Sequence, residues 1–139
     1  MADNKAQMRR FYDEVVNGGK LDMIDELSTP DLVDHEAFPG LEGRGREGVK
    51  QFFSMMRGAF PDLQMEVHDM IAEGDKVVAR VTMTGTHQGE FMGVPPTGKK
   101  ISVPTIDIVR FMDGKAAEHW GATDTGSMME QLGAVPAAG

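Results

Sequence analysis

Apolar side chains recur every three or four positions through the first sixty residues, and from Asp62 onward they alternate. Met8, Phe11, Tyr12, Val15 and Val16 fall on one stripe of a helix expected over 6–16, which Asn17-Gly18-Gly19 ends. Leu21, Ile24 and Leu27 continue as a second, short helix, stopped by Pro30 soon after Ser28-Thr29. Leu32-Val33-Asp34-His35 reads as a short extended run, and a loop with glycines at 40, 43, 45 and 48 follows. Val49, Phe52, Phe53, Met56 and Phe60 return to helical spacing, so a helix is expected over 47–60, closed by Pro61.

Beyond that proline the period is two. Leu63, Met65 and Val67 alternate with Gln64, Glu66 and His68; Glu73-Gly74-Asp75 makes a turn, and 77–83 returns as a strand. A loop dense in Gly and Pro (85–98) precedes a third strand over 100–112 and a fourth over 115–123. Asp124 is placed as the N-cap of a short last helix over 128–132, and 134–139 reads as a frayed tail. There is no internal repeat and no linker, so one domain is expected over 1–139, with an ordered core at about 4–133. Helices first and hairpin strands later describe an α+β domain, with helices on one face of an antiparallel sheet.

Composition narrows the functions. The 139 residues include no cysteine, which excludes disulfides, thiolate metal sites and a cysteine nucleophile. The formal charge is -8, from 22 acids against 14 bases, and argues against nucleic acid, whose partners present a basic face. No apolar run approaches the ~20 residues that span a bilayer, so a soluble, cytoplasmic protein without membrane partners is expected. The 12 methionines suit irregular core gaps and adaptable apolar pockets.

Several segments form a constellation. They are Asp34-His35, Ala59-Phe60-Pro61-Asp62-Leu63, Glu73-Gly74-Asp75-Lys76-Val77, Gly85-Thr86-His87, the Gly93-Val94-Pro95-Pro96-Thr97-Gly98 loop, Arg110-Phe111-Met112-Asp113-Gly114-Lys115, Glu118-His119-Trp120 and Asp124. Together they resemble the SnoaL-like polyketide cyclases, a branch of the nuclear-transport-factor-2-like superfamily, over nearly the whole chain. The resemblance implies a cone of curved sheet wrapped by helices around an apolar cavity open at one end. It also implies intramolecular aldol ring closure of a polyketide ester without metal or organic cofactor, with an acid/base Asp working from the sheet beside a His. Other members of the branch have different activities, so the likeness supports the fold better than the substrate.

An Asp and a His inside a hydrophobic strand pattern cost desolvation unless they are paired or kept for chemistry. Asp107 and His119 are such a pair. A two-residue turn at Asp113-Gly114 would set Asp107 opposite Trp120. A three-residue turn ending in a Gly114 bulge, the preferred register, sets Asp107 opposite His119. That register puts Thr105, Asp107, Val109, Phe111, Ala117, His119 and Gly121 on one face. It leaves Ile106, Ile108, Arg110, Glu118 and Trp120 on the other, where Arg110 and Glu118 can pair. Taking a proton from a carbon flanked by carbonyls needs a base tuned to the working pH in a dry site; burial raises a carboxylate and a nearby imidazolium lowers it. Asp107 is the candidate base, and His119 its partner acid or the group that orients it. The competing interpretation is a satisfied structural pair.

His35, between Leu32-Val33 and the Gly-rich loop, is the third catalytic candidate, as polar support at the mouth of the implied cone. Tyr12, Phe53, Met56, His87 and Thr105 are candidate substrate contacts. Trp120 belongs to an outer apolar patch with Ile106, Ile108 and Met112, which suggests a homodimer through the sheet, or in the alternative register it is a platform for a flat substrate. His68 reads as solvated. No His/Asp spacing is typical of a metal site, so neither metal nor cofactor is expected. Gly43-Arg44-Gly45-Arg46-Glu47-Gly48 matches G-x-G-x-x-G by letter but lacks a βαβ context, and fits a lid or entrance loop better. The expectation is a cofactor-free cyclase acting on a hydrophobic carbonyl substrate. A non-catalytic small-molecule-binding module, or an isomerase or dehydratase in the same cavity, are the alternatives.

Overall fold

A computed structural model describes residues 3–36 and 45–133. The expected frayed tail and most of the Gly-rich loop lie outside the described residues. Helix α1 (Asn4–Arg10) starts where the Asp3 carboxylate accepts the Ala6 N–H, and continues unbroken into a π-helical segment, Phe11–Asn17. The wider i→i+5 turn is not visible in a 3.6-residue pattern, and such segments recur at functional sites. It buries Tyr12, Val15 and Val16 on one side. Helix α2 (Met23–Leu27) is short, α3 (Arg46–Ala59) is the long helix expected near 47–60, and α4 (Thr125–Gln131) is capped by Asp124 as expected.

Five strands, β1 (Ser28–Asp34), β2 (Gln64–Glu73), β3 (Lys76–Thr86), β4 (Lys100–Met112) and β5 (Lys115–Thr123), form one curved, open sheet in the order β1-β5-β4-β3-β2. The hairpins β2–β3, β3–β4 and β4–β5 are antiparallel, whereas β1 runs parallel to β5, so the sheet is mixed at one edge. Pro30 lies within β1 instead of preceding it; at an edge its missing N–H need break no ladder bond.

The concave face packs Val77, Ala79, Val81, Met83, Val103, Val109 and Phe111 against Met8, Tyr12, Phe53, Met56 and Phe60 from the helices. Each large side chain buried this way contributes about 1.5–3 kcal/mol. Phe60 is fully buried at the end of α3, and the β3 backbone approaches it closely: a Cβ on Gly85 would stand 2.8 Å from the Phe60 Cβ.

The β4–β5 register differs from both expectations. The turn does have two residues, Asp113 and Gly114, with φ of 52° and 78°, the left-handed pair of a tight hairpin. Met112 pairs with Lys115 and Phe111 with Ala116, but a bulge then makes Arg110 face Glu118, Val109 face His119 and Asp107 face Gly121. The bulge adds the odd residue that the turn was expected to supply. Asp107 and His119 therefore share a face, as anticipated, but as diagonal neighbours. Ala116 lines the concave face in place of Ala117.

Candidate active site

The helices and the concave sheet enclose a cavity of about 140 Å³. Its walls are mainly apolar, from Met8, Phe11, Leu27, Phe52, Phe53 and Met65 among others, and its polar groups converge in one place. There Tyr12 donates its hydroxyl to Asp107 Oδ2 at 2.5 Å, and His119 Nε2 lies 2.9 Å from Asp107 Oδ1. The other ring nitrogen, Nδ1, is 2.8 Å from Asp34 Oδ1. A chain Tyr12–Asp107–His119–Asp34 thus links the π-helical segment, β4, β5 and β1.

Electrostatics set the state of this chain. Burial is the largest influence on His119 and pushes its pKa down. The hydrogen bonds to Asp107 and Asp34, with the charges behind them, together outweigh it and raise the ring from 6.5 to about 10. At neutral pH the ring is an imidazolium, with one N–H directed at each carboxylate. Burial, then the charge and hydrogen bond of Asp107, push the Tyr12 phenol far above its ordinary value, so it remains a donor.

Two members of the cluster were not singled out from the sequence. Asp34 rather than its neighbour His35 faces the cavity, and Glu36 follows it inward. Alternation from buried Leu32 is the signal that could have found both, because residues 32, 34 and 36 share a parity. Asp34 Oδ1 also accepts the Glu36 N–H at 2.9 Å, a local turn that brings Glu36 back over the sheet. Thr123 donates its hydroxyl to Glu36 Oε2 at 3.0 Å. Burial, followed by other influences of both signs, leaves the Glu36 carboxyl raised above its usual range.

Of the expected contacts, Tyr12, Phe53 and Thr105 line the cavity with Asp107 and His119. Four others do not. His35 lies on the convex side, stacked on Trp120 with ring centroids 5.1 Å apart, its Nε2 2.7 Å from Glu118. Strand alternation turns it out once Asp34 turns in. Trp120 faces out with it, next to the Arg110–Glu118 ion pair at 2.9 Å, because it is one residue from inward-facing His119. Met56 is wholly buried on the core side of α3 and does not reach the cavity. His87 is also fully buried. Thr97 donates its N–H to His87 Nδ1 at 3.2 Å with its hydroxyl at 2.9 Å, and Phe60 packs on the ring, so His87 pins the Gly/Pro loop.

Glu36, Asp107 and His119 also bring ligand atoms within 4.8 Å of one another, the one set among the described residues spaced for a metal ion. Both His119 nitrogens are engaged by carboxylates, at 2.8 and 2.9 Å, so a cation ligated by the ring would have to displace one of these contacts. This donor set suits proton handling better than a cation.

Comparisons with known proteins identify the family and the fold. The family model described as SnoaL-like polyketide cyclase matches residues 6–132. The aklanonic acid methyl ester cyclase of Streptomyces galilaeus is 28% identical over 134 residues, covering 96% of this chain and 92% of that protein. The nogalonic acid methyl ester cyclase of Streptomyces nogalater is 27% identical over 118 residues, covering 84% and 88%. Among solved structures, IdmH from Streptomyces antibioticus superposes with a TM-score of 0.82 at 35% identity, covering 94% of this chain and 99% of its own. TsrD from Streptomyces laurentii gives 0.83 at 33%, covering 94% and 95%. With the family model matched over residues 6–132, the chain belongs to the SnoaL-like polyketide cyclase family.

Proposed function

We propose that this protein closes a ring of a hydrophobic polyketide ester by an intramolecular aldol reaction, using its own side chains as acid and base and no cofactor. The observation that carries the proposal is the Tyr12–Asp107–His119–Asp34 chain at the polar end of an otherwise greasy cavity. Asp107 is the base that takes a proton from a carbon flanked by carbonyls. His119 is its proton-bearing partner, held in place by Asp34, and Tyr12 fixes the other Asp107 oxygen. A preorganised donor array of this kind needs little rearrangement as charge moves during the reaction.

The charge of the cavity supports an ester over a free acid. Its described lining carries no Lys or Arg, and the His119 imidazolium is already paired with the Asp34 and Asp107 carboxylates, so a carboxylate substrate would find no free cation to meet it. The methyl ester cyclases among the relatives are consistent with such a substrate. The convex face, where Ile106, Met112 and Ile71 are exposed beside Trp120, supports a homodimer through the sheet. Met112→Glu would then shift the protein to monomer in sedimentation equilibrium.

The test uses aklanonic acid methyl ester as the probe, with ring closure followed by chromatography and carbon-acid exchange in D2O followed by NMR. Asp107→Asn is expected to slow both by about 10²–10⁴-fold, the usual weight of a positioned base. Cyclisation at the original rate in the Asp107→Asn protein refutes the mechanism. Thermal stabilisation by the ester without turnover would instead mark a binding module.

A further inference from the structure

We propose that Glu36 is the general acid of this cavity, the carboxyl that protonates the oxygen of the carbonyl attacked during ring closure. The proposal rests on Asp107 as the base. Every other acidic proton in the cluster is already directed at a protein acceptor. The Tyr12 hydroxyl points to Asp107 Oδ2, and the two His119 N–H groups point to Asp107 Oδ1 and Asp34 Oδ1. Glu36 differs. Its Oε2 accepts from Thr123, and among the described residues Oε1 has no hydrogen-bond partner. The Glu36 carboxyl lines the same cavity, with a ligand atom within 4.8 Å of those of Asp107 and His119.

The sheet makes room for this carboxyl. Gly121 sits directly opposite Asp107, and a Cβ there would stand 2.3 Å from Glu36 Oε1, 2.8 Å from Glu36 Cδ and 3.0 Å from His119 Cε1. Gly121 does not have the positive φ that favours glycine, so space and not backbone freedom is the reason for it. The missing side chain is the notch in which Glu36 lies. The charged and titratable groups facing it are His119 on β5, Asp107 on β4, Asp34 on β1 and Tyr12 on the helix. Burial, the largest influence, raises its pKa, as do the charges of Asp107 and Asp34, while the His119 charge and the Thr123 bond act the other way. A carboxyl whose proton is held more tightly than usual, with one oxygen free of partners among the described residues, is placed to donate to a developing oxyanion.

The step balances within the cavity. Asp107 takes the proton from the activated carbon, and the freed electron pair forms the new C–C bond at the second carbonyl. The π pair of that carbonyl moves onto its oxygen, which takes the proton of Glu36. Asp107 is left protonated and Glu36 charged, and one proton passing from Asp107 to Glu36 restores both. Substrate and product are isomers, so no outside reagent is consumed.

The experiment separates the two half-steps in the intact protein with aklanonic acid methyl ester. Exchange of the acidic C–H in D2O reports Asp107, and ring closure reports both residues. Glu36→Gln is isosteric. It is expected to keep exchange within about twofold of wild type, to slow closure about 10²-fold, and to abolish the fall of closure rate at high pH that follows loss of the Glu36 proton. Glu36→Asp should recover part of the closure rate. Closure at the wild-type rate in Glu36→Gln overturns the proposal, as does a parallel loss of exchange and closure, which marks a structural role. Wild type that neither exchanges nor cyclises overturns the Asp107 mechanism and the proposal with it, an outcome distinct from failure of Glu36 alone.

Discussion

The His119 site predicts a loss of stability with rising pH, beginning unusually close to neutrality. In the unfolded chain an ordinary histidine loses its proton near 6.5, whereas in the fold His119 holds it to about 10. Between those values the native state binds one more proton than the unfolded state. The raised group therefore contributes its full stabilisation below about pH 6.5, and that contribution falls by about 1.36 kcal/mol per pH unit until about pH 10. The ceiling is roughly 5 kcal/mol, a large share of the 5–15 kcal/mol typical of folded domains. The structural cause is specific. A neutral imidazole has only one N–H, so deprotonation leaves either Asp34 Oδ1, at 2.8 Å, or Asp107 Oδ1, at 2.9 Å, facing a lone pair. Urea unfolding at pH 7, 8 and 9 should show wild type losing roughly 3 kcal/mol across that range relative to a His119→Asn protein measured in parallel. The comparison removes the titration of groups the two proteins share. Parallel pH curves for the two proteins would refute the charged, doubly bonded ring.

The chain has one tyrosine, and Tyr12 donates to Asp107 in a buried site that raises its phenol; alkaline titration followed by ultraviolet absorbance should show no phenolate until the protein unfolds. Asp124→Ala removes the carboxylate that accepts the Ser127 N–H at 2.9 Å, and should cost about 1 kcal/mol in thermal unfolding without changing turnover. Gly89→Ala would place a Cβ 2.1 Å from the Gly58 carbonyl oxygen, a backbone atom with little freedom to move. About 1–3 kcal/mol of destabilisation is expected, read as a lower urea midpoint.

Local pattern was enough for the strands of the β4–β5 hairpin, whose bounds match those observed, because alternation and the Asp113-Gly114 turn are short-range signals. It put Asp107 and His119 on one face by way of a three-residue turn; the turn has two residues, and the bulge restores the same parity. The Asp124 cap and the long third helix are equally local features.

The composition of the acid–base cluster required the tertiary structure. The pairing offset of Asp107 and His119 depends on a bulge that no residue type announces. Asp34 meets His119 because β1 docks parallel to β5, a contact between segments 85 residues apart that helical and strand periods do not encode. The same docking turns His35 outward onto Trp120, and the empty space at Gly121 acquires its meaning only when Glu36 folds over it. Sequence determines which face of its own strand a side chain takes; which distant carboxylate shares a proton with it depends on how separate strands are brought together, and long-range packing decides that.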